Sequence, residues 1–411
     1  MRIRMLLATL VALALTACAS TPPPGPASGP RPLTILVSID GFRPDYMTPA
    51  DTPLLYRLAA EGAVAPGGMR PSYPSLTFPN HYTLVTGLRP DEHGIVNNTF
   101  RDPAIPGVTF SLGNKEAVLD GKWWDEAEPL WVTAVKAGVK ADTMFWPGSE
   151  AEIHGVRPTK SAPFDQSMSS AARVDVLLGW LDDPADRPGF ATLYFDIVDT
   201  AGHRFGPGAP EVKAAVAEVD AALLRLMDGL KARGLDGKVN LVIVADHGMA
   251  EVKPGQTVIA DAEAPGAVKM VTGGQSAGFD LLPGREAEGL ALLLKPNPNM
   301  TCWPKAKIPA RLHYGRNPRA PQVVCMARVG WYVTNAESAA KRKPETRVTG
   351  SHGYDNAAPE MRALFMAWGP SIRSGAKVGE MDNVDVYPLL ATLIGVKPLK
   401  NDGKLPKGVL R

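Results

Sequence analysis

Three apolar runs in this chain each end in acids or histidines, and no other feature constrains its fold as much. LTILVSI, residues 33–39, is followed at once by Asp40. NLVIVA, residues 240–245, is followed by Asp246 and His247. ATLYFDIV, residues 191–198, is followed by Asp199 and then by His203. Short apolar runs closed by polar residues read as strands buried on both faces, the kind found in parallel sheets covered by helices. In an open α/β sheet the C-terminal strand ends share one rim, and ligands bind there. Three strands ending in such groups therefore aim them at one place. Unpaired, the acids would repel one another and be costly to desolvate; divalent cations would resolve both problems.

The rest of the folded part fits such a sheet. Four segments are predicted as buried strands: Leu33–Ile39, Ala191–Ile197, Val239–Ala245 and Ala363–Trp368. Between Pro210 and Ala232, Val212, Val216, Val219, Leu223, Leu226 and Leu230 recur at three- and four-residue steps and form one helical stripe. Thr52-Pro53 reads as a cap followed by proline at the first helical position, with the helix stopping at Gly62. A third helix is predicted from Thr77 to Gly87, with Pro79 tolerated in its first turn. Periodicity weakens between about 250 and 350, where Pro, Gly and Lys are frequent; this reads as an insertion with a small hairpin of its own. The expected fold is α/β: a three-layer α/β/α sandwich with a mixed, mostly parallel sheet, a catalytic domain over 33–411 that carries the insertion at about 250–350.

The N-terminus reads as a leader. Arg2 and Arg4 precede an apolar run from Met5 to Leu15, too short for a stable membrane span. Leu15-Thr16-Ala17-Cys18 resembles a bacterial lipobox. The expectation is a signal peptide over 1–17, lipid on the Cys18 thiol, and a tether over 18–32, where six prolines follow the cysteine. The protein would then be exported and held at the periplasmic face of a bacterial membrane, as an outer-membrane lipoprotein. Of the three cysteines, Cys302 and Cys325 remain, and two spare cysteines in an exported chain favour a disulfide. The formal net charge of +2, without a basic run, gives no sign of a nucleic-acid-binding surface.

Aspartate and histidine together suit zinc. Asp40, Asp199, Asp246, His203, His247 and His352 supply six ligands, enough for two ions with three protein ligands each. Two such ions roughly 4 Å apart clamp the attacking and leaving oxygens of a phosphoryl displacement. Of the remaining histidines, His81, His93, His154 and His313 read as structural or surface groups, and Trp123, Trp124 and Trp131 as packing.

At these residues the chain resembles the nucleotide pyrophosphatase/phosphodiesterases (type I phosphodiesterases) of the alkaline phosphatase superfamily. The resemblance runs through SIDGFR (38–43), TFPNHYTLVTGLRPDEHGIVNN (77–98), FWPGSE (145–150), DTAGHRFGP (199–207), ADHGM (245–249), SHGYDN (351–356) and MRALFMAWGP (361–370). It implies an alkaline-phosphatase-like fold and hydrolysis of phosphodiester or pyrophosphate bonds in a nucleotide or related small diester. It implies that Asp40, Asp246 and His247 hold one zinc with the Thr77 oxygen, and that Asp199, His203 and His352 hold the other. Thr77 would be the nucleophile, Asn98 a donor to a nonbridging phosphate oxygen, and Phe78 and Tyr194 the walls around the leaving group. Asn97 stands where the family usually has an acid. Thr77 alone could be only a helix cap, and Ser75 is a rival hydroxyl. Coordination to zinc lowers a hydroxyl's pKa, and the position at a helix N-terminus favours an alkoxide and a phosphate. The other readings are a phosphomonoesterase of the same superfamily, a lysophospholipid-type phosphodiesterase, and a non-catalytic metal-binding lipoprotein.

Overall fold

The computed structural model of the chain describes residues 31–341 and 349–411. The expected leader over 1–17, the anchor Cys18 and the tether up to residue 30 lie outside the described residues.

All three acid-ended runs lie at the centre of one eight-stranded sheet. From edge to edge its strands are Ala376–Lys377, Ala63–Val64, Phe365–Trp368, Val239–Val244, Leu33–Ile39, Phe190–Phe195, Ala141–Met144 and Lys160–Ala162. Phe365–Trp368 is antiparallel to both neighbours, and every other adjacent pair is parallel. Each residue of the three central strands is buried, as continuous apolar runs require. The register sets Ile39 level with Phe195 and Ser38 level with Val244. Asp40 and Asp246 therefore leave the sheet at the same height.

Helices cover both faces. Pro53–Glu61 and Ser170–Trp180 pack with Pro210–Ala232 on one side. Thr77–Thr86, Leu130–Lys136 and Val386–Ile394 pack together on the other. The predicted stripe of Pro210–Ala232 is buried from Val212 to Leu230. Thr52 makes no side-chain cap. The free amides of that helix, Leu54 and Leu55, donate instead to buried Asp220 at 3.1 and 2.8 Å, a cap supplied from a distant helix. The strand predicted as Ala191–Ile197 is Phe190–Phe195. Asp196 turns the chain, and Ile197 already opens the helix Ile197–Phe205. Asp199 and His203 thus lie four apart on one helix face.

The insertion is more ordered than a hairpin. Val268–Thr272, Ser276–Leu281, Val323–Ala327 and Met300–Pro304 form an antiparallel four-stranded sheet. Cys302 and Cys325 face each other across its last pair and are joined in a disulfide. The insertion has its own small core around Phe279, Val323 and Tyr354. It closes where Gly350–Ser351 pairs with Ala250–Glu251, which returns the chain beside His247. No helix among the described residues is long and apolar enough to cross a membrane.

Candidate active site

Asp40, Asp246 and His247 come from adjacent strand ends and lie together. His247 Nε2 is 2.9 Å from Asp246 Oδ2 and 3.4 Å from Asp40 Oδ1. The Gly41 amide donates to Asp246 Oδ1 at 3.2 Å. Its φ of +69° lets the chain turn there, and a Cβ would press on Asp199 at 3.1 Å. Asp199, His203 and His352 form the second group, their ligand atoms all within 4.8 Å of one another. A further such group, Asp40, Asp199 and His247, bridges the two. His352 arrives through the strand pairing that closes the insertion, and its ring stacks on His247 at 3.5 Å.

The imidazoles are oriented by backbone carbonyls. Nδ1 of His203, His352 and His247 lies 2.9 Å from the carbonyl oxygens of Gly350, Ser75 and Gly248 respectively. A carbonyl only accepts, so each Nδ1 carries a proton and each Nε2 is the nitrogen turned inward. His203 Nε2 and His352 Nε2 are 3.1 Å apart, two inward nitrogens facing each other. Asp40 Oδ1, Asp199 Oδ1 and Asp246 Oδ2 are buried with no hydrogen-bond partner. Burial, then the charges of Asp246 and Asp199, push the Asp40 pKa well above the carboxylate range. Burial also raises Asp199. Burial opposes the charge on Asp246 too, yet His247 and His81 bring it well below the usual range. His352 is driven well below the imidazole range by burial and by His247 and His203. Converging imidazole nitrogens and orphaned carboxylate oxygens are a donor set that fits divalent cations.

Thr77 opens the helix Thr77–Thr86 and is 8% exposed, with Oγ1 3.3 Å from His247 Nε2. The rival Ser75 is fully buried and donates to the Tyr354 carbonyl at 3.2 Å, away from the cluster. Few free amides remain at this helix N-terminus. Pro79 has none, the Asn80 amide donates to Leu76, and the Phe78 amide donates to Asn98 Oδ1 at 2.9 Å. That last bond fixes the Asn98 side chain with its NH₂ group left to donate, and Asn98 lines the cleft. The cleft, about 720 Å³, also takes in Thr77, Phe78, Tyr194 and Phe164.

Two aromatic rings and one histidine add detail to the sequence reading. Tyr194 is 7% exposed, and its hydroxyl donates to Asp40 Oδ2 at 2.6 Å, so it supports an acid from the cleft floor. Phe164, which sequence reading missed, is 47% exposed at the cleft, and Glu150 anchors its amide at 2.8 Å. His81 has the structural place expected of it, fully buried and 3.4 Å from Asp246. Its Nδ1 lies 2.9 Å from the Thr77 carbonyl and its Nε2 2.8 Å from Ser38 Oγ, so both nitrogens are engaged. Its spacing of four from Thr77 was the available signal.

Residues 34–355 match the family model described as type I phosphodiesterase / nucleotide pyrophosphatase. The chain belongs to this family. It is 37% identical over 383 residues to an uncharacterized pyrophosphatase/phosphodiesterase of Schizosaccharomyces pombe, covering 90% of this chain and 78% of that one. It is 35% identical to a bis(5'-adenosyl)-triphosphatase of Xenopus laevis, covering 92% and 81%. Among solved structures, an inactive threonine-to-alanine variant of murine ectonucleotide pyrophosphatase/phosphodiesterase 5, in complex with AMP, superposes with a TM-score of 0.85 at 32% identity. The match covers 91% of this chain and 98% of that one. As a nucleotide pyrophosphatase/phosphodiesterase the protein is a hydrolase acting on phosphodiester bonds, built on the alkaline-phosphatase-like α/β fold.

Proposed function

We propose that this protein hydrolyses phosphodiester or pyrophosphate bonds in nucleotides or related small diesters, with two zinc ions and through a phosphothreonine on Thr77. The observation that carries the reading is Thr77 Oγ1, 3.3 Å from His247 Nε2 at the floor of a cleft where both ligand groups meet. Asp40, Asp246, His247 and Thr77 would hold one ion, and Asp199, His203 and His352 the other. Zinc there would lower the pKa of a coordinated hydroxyl and neutralise charge on the phosphoryl group. Thr77 Oγ forms its bond to phosphorus as the bond to the leaving alcohol or nucleotide breaks; water then cleaves the phosphothreonine and restores the hydroxyl. Asn98 donates its NH₂ to a nonbridging oxygen. Phe78 and Phe164 wall the leaving group, with Tyr194 below.

Two comparisons support the nucleotide and the threonine. The AMP complex of the murine relative was obtained with an inactive threonine-to-alanine variant. The Xenopus relative is named for a dinucleoside triphosphate. The test is a substrate panel on the zinc-loaded protein: nucleotide diesters, dinucleoside polyphosphates, lysophospholipids and phosphomonoesters. Highest kcat/KM on a nucleotide diester or dinucleoside polyphosphate is expected. A preference for lysophospholipids or monoesters would replace the substrate assignment.

Export and a lipid on Cys18, facing the periplasm from the outer membrane, complete the reading. The Leu15–Cys18 pattern supports it. Fatty-acid labelling should be lost in Cys18→Ala, and label persisting there would refute the anchor.

A further inference from the structure

The loop that carries Asn98 has no regular structure between Gly94 and Asn98, yet a phosphate donor needs placement within about 0.5 Å to act in a transition state. The inserted segment holds this loop through residues that do not line the cleft. Tyr314, 7% exposed, donates its hydroxyl to the Val96 carbonyl at 2.9 Å. Arg319, 5% exposed, donates from Nη1 to the Gly94 carbonyl at 3.1 Å and to the Trp123 carbonyl at 2.7 Å. Its Nε donates to Asp102 at 2.6 Å, just past the loop, and lies 3.0 Å from Glu126. Gly94 is the one residue type that fits: its φ is +78°, and a Cβ would lie 2.6 Å from Arg319 Nη1. Between Tyr314 and Arg319 the amides of Gly315 and Arg316 donate to Asp91 at 2.8 and 2.7 Å, which fastens the segment to the start of the same loop region. The Asn97 amide group reaches Ser276 of the inserted sheet at 3.4 Å. Carbonyls or side chains at 94, 96 and 97 are therefore all bound to the insertion or its arginine, and Asn98 follows directly.

A buried guanidinium is expensive to desolvate, and it is kept only where its donors are filled. Here it also rests against the rings of Phe100 and Trp123, at 5.8 and 5.7 Å. Phe100 packs on Phe110 at 4.7 Å, and Phe110 on Phe78 at 5.9 Å. The same arginine thus backs both the donor Asn98 and the apolar wall Phe78, whose amide holds Asn98.

We propose that Tyr314 and Arg319 are positioning residues that hold the Asn98 loop in register with the phosphoryl group, so that the insertion sets the strength of the Asn98 contact. This rests on the reading of Asn98 as a phosphate donor. The test is a double-mutant cycle on the full zinc-loaded chain with a nucleotide diester. Tyr314→Phe removes one hydroxyl at constant shape, and is expected to lower kcat about fivefold with KM and zinc content unchanged. In an Asn98→Ala background the same change is expected to cost less than about 1.5-fold. Arg319→Lys is expected to lower kcat about tenfold, again only while Asn98 is present; should that variant fail to fold, Tyr314→Phe carries the test. A second readout is the rate ratio of the two phosphorothioate diastereomers of the diester, which reports the contact to one nonbridging oxygen. Tyr314→Phe should move it toward the Asn98→Ala value, whereas a purely structural hydroxyl would leave it fixed. Equal losses in both backgrounds overturn the proposal alone. An Asn98→Ala variant within about twofold of wild-type kcat overturns the reading of Asn98 itself, and the proposal with it.

Discussion

Orphaned carboxylate oxygens occur at two places on the central sheet, and the two places behave differently. At the rim, Asp40, Asp199 and Asp246 each bury one such oxygen, and the Nε2 atoms of three imidazoles point into the same space. In the strand Ala141–Met144, Asp142 buries both of its oxygens alone. Its neighbours Lys140 and Lys160 are already paired, both with Asp186, at 2.7 and 2.6 Å. Desolvation therefore decides, and the Asp142 pKa rises from 3.8 to about 6. A lone buried acid relieves its cost by keeping its proton. Several acids and imidazoles on one point cannot all do so, and such a cluster calls for cations. Burial of an acid is thus poor evidence for a metal site, and convergence of ligand atoms is good evidence.

The largest expected effect tests what the rim is for. Thr77→Ala should lower kcat on the order of 10⁴-fold or more while zinc content stays unchanged, and Thr77→Ser should keep part of the activity. A Thr77→Ala rate near wild type would remove the covalent route and bring direct attack by water forward. The next effect tests convergence itself. Elemental analysis should find about two zinc ions per chain, and a chelator should lower activity on the order of 10³-fold, reversibly on adding zinc. Asp246→Asn should lose zinc, whereas Asp142→Asn should keep all of it. Equal zinc content in both variants would break the distinction between the two places.

How much of this was legible follows the same division. Asp40, Asp246 and His247 were readable because each directly follows an apolar strand, and strand ends in a parallel sheet meet. Thr77 and Asn98 lie in one contiguous stretch with a helix start in it. Asp199 and His203 were readable as residues but not as a helix face, since the run ATLYFDIV does not show where its strand stops. His352 depends on a pairing between Gly350–Ser351 and Ala250–Glu251, about a hundred residues apart, which no local pattern encodes. Phe164 is a lone aromatic in a Pro- and Asp-containing loop, and its exposure at the cleft is a tertiary fact. Asp220 as the cap of Pro53–Glu61, and the four-stranded sheet of the insertion, are likewise set by distant partners.

Charge at the rim also bears on substrate choice. A phosphomonoester brings a third charged oxygen, which enzymes specialised for it meet with added cationic donors. Arg43 is occupied by Asp45 and the Met249 carbonyl, and Arg89 by Asp382 and Asp402. The neutral Asn98 and the rings of Phe78 and Phe164 face the cleft, and the lysine in its lining, Lys115, is exposed to solvent. The expected ratio of kcat/KM for a nitrophenyl diester over the matching monoester is at least about 100-fold, or roughly 2.7 kcal/mol. A ratio near one at equal pH and zinc would point to the phosphatase branch.

The smallest effect concerns Asp142 alone, and its sign follows from linkage. The folded-state pKa is about 6, above the ordinary 3.8. An acid whose pKa is raised on folding contributes stability below its unfolded pKa and loses it as pH rises through the folded one. The protein should therefore give up stability at Asp142 between about pH 4 and pH 6 and stay at the lower level above that. Asp142→Asn cannot ionise and has no such loss. Allowing for solvent screening near the sheet edge, the variant should be more stable than wild type by about 2 kcal/mol at pH 8, and the gap should close toward pH 4. Zinc-dependent stability complicates a scan at the rim but not a difference between two chains with the same rim. Denaturant unfolding of both, zinc-loaded and at matched pH, measures the gap. A gap that stays constant with pH would mean that Asp142 is ionised throughout and has found a partner; a gap that opens between about pH 4 and pH 6 and stays level above fits a lone acid that keeps its proton up to about pH 6.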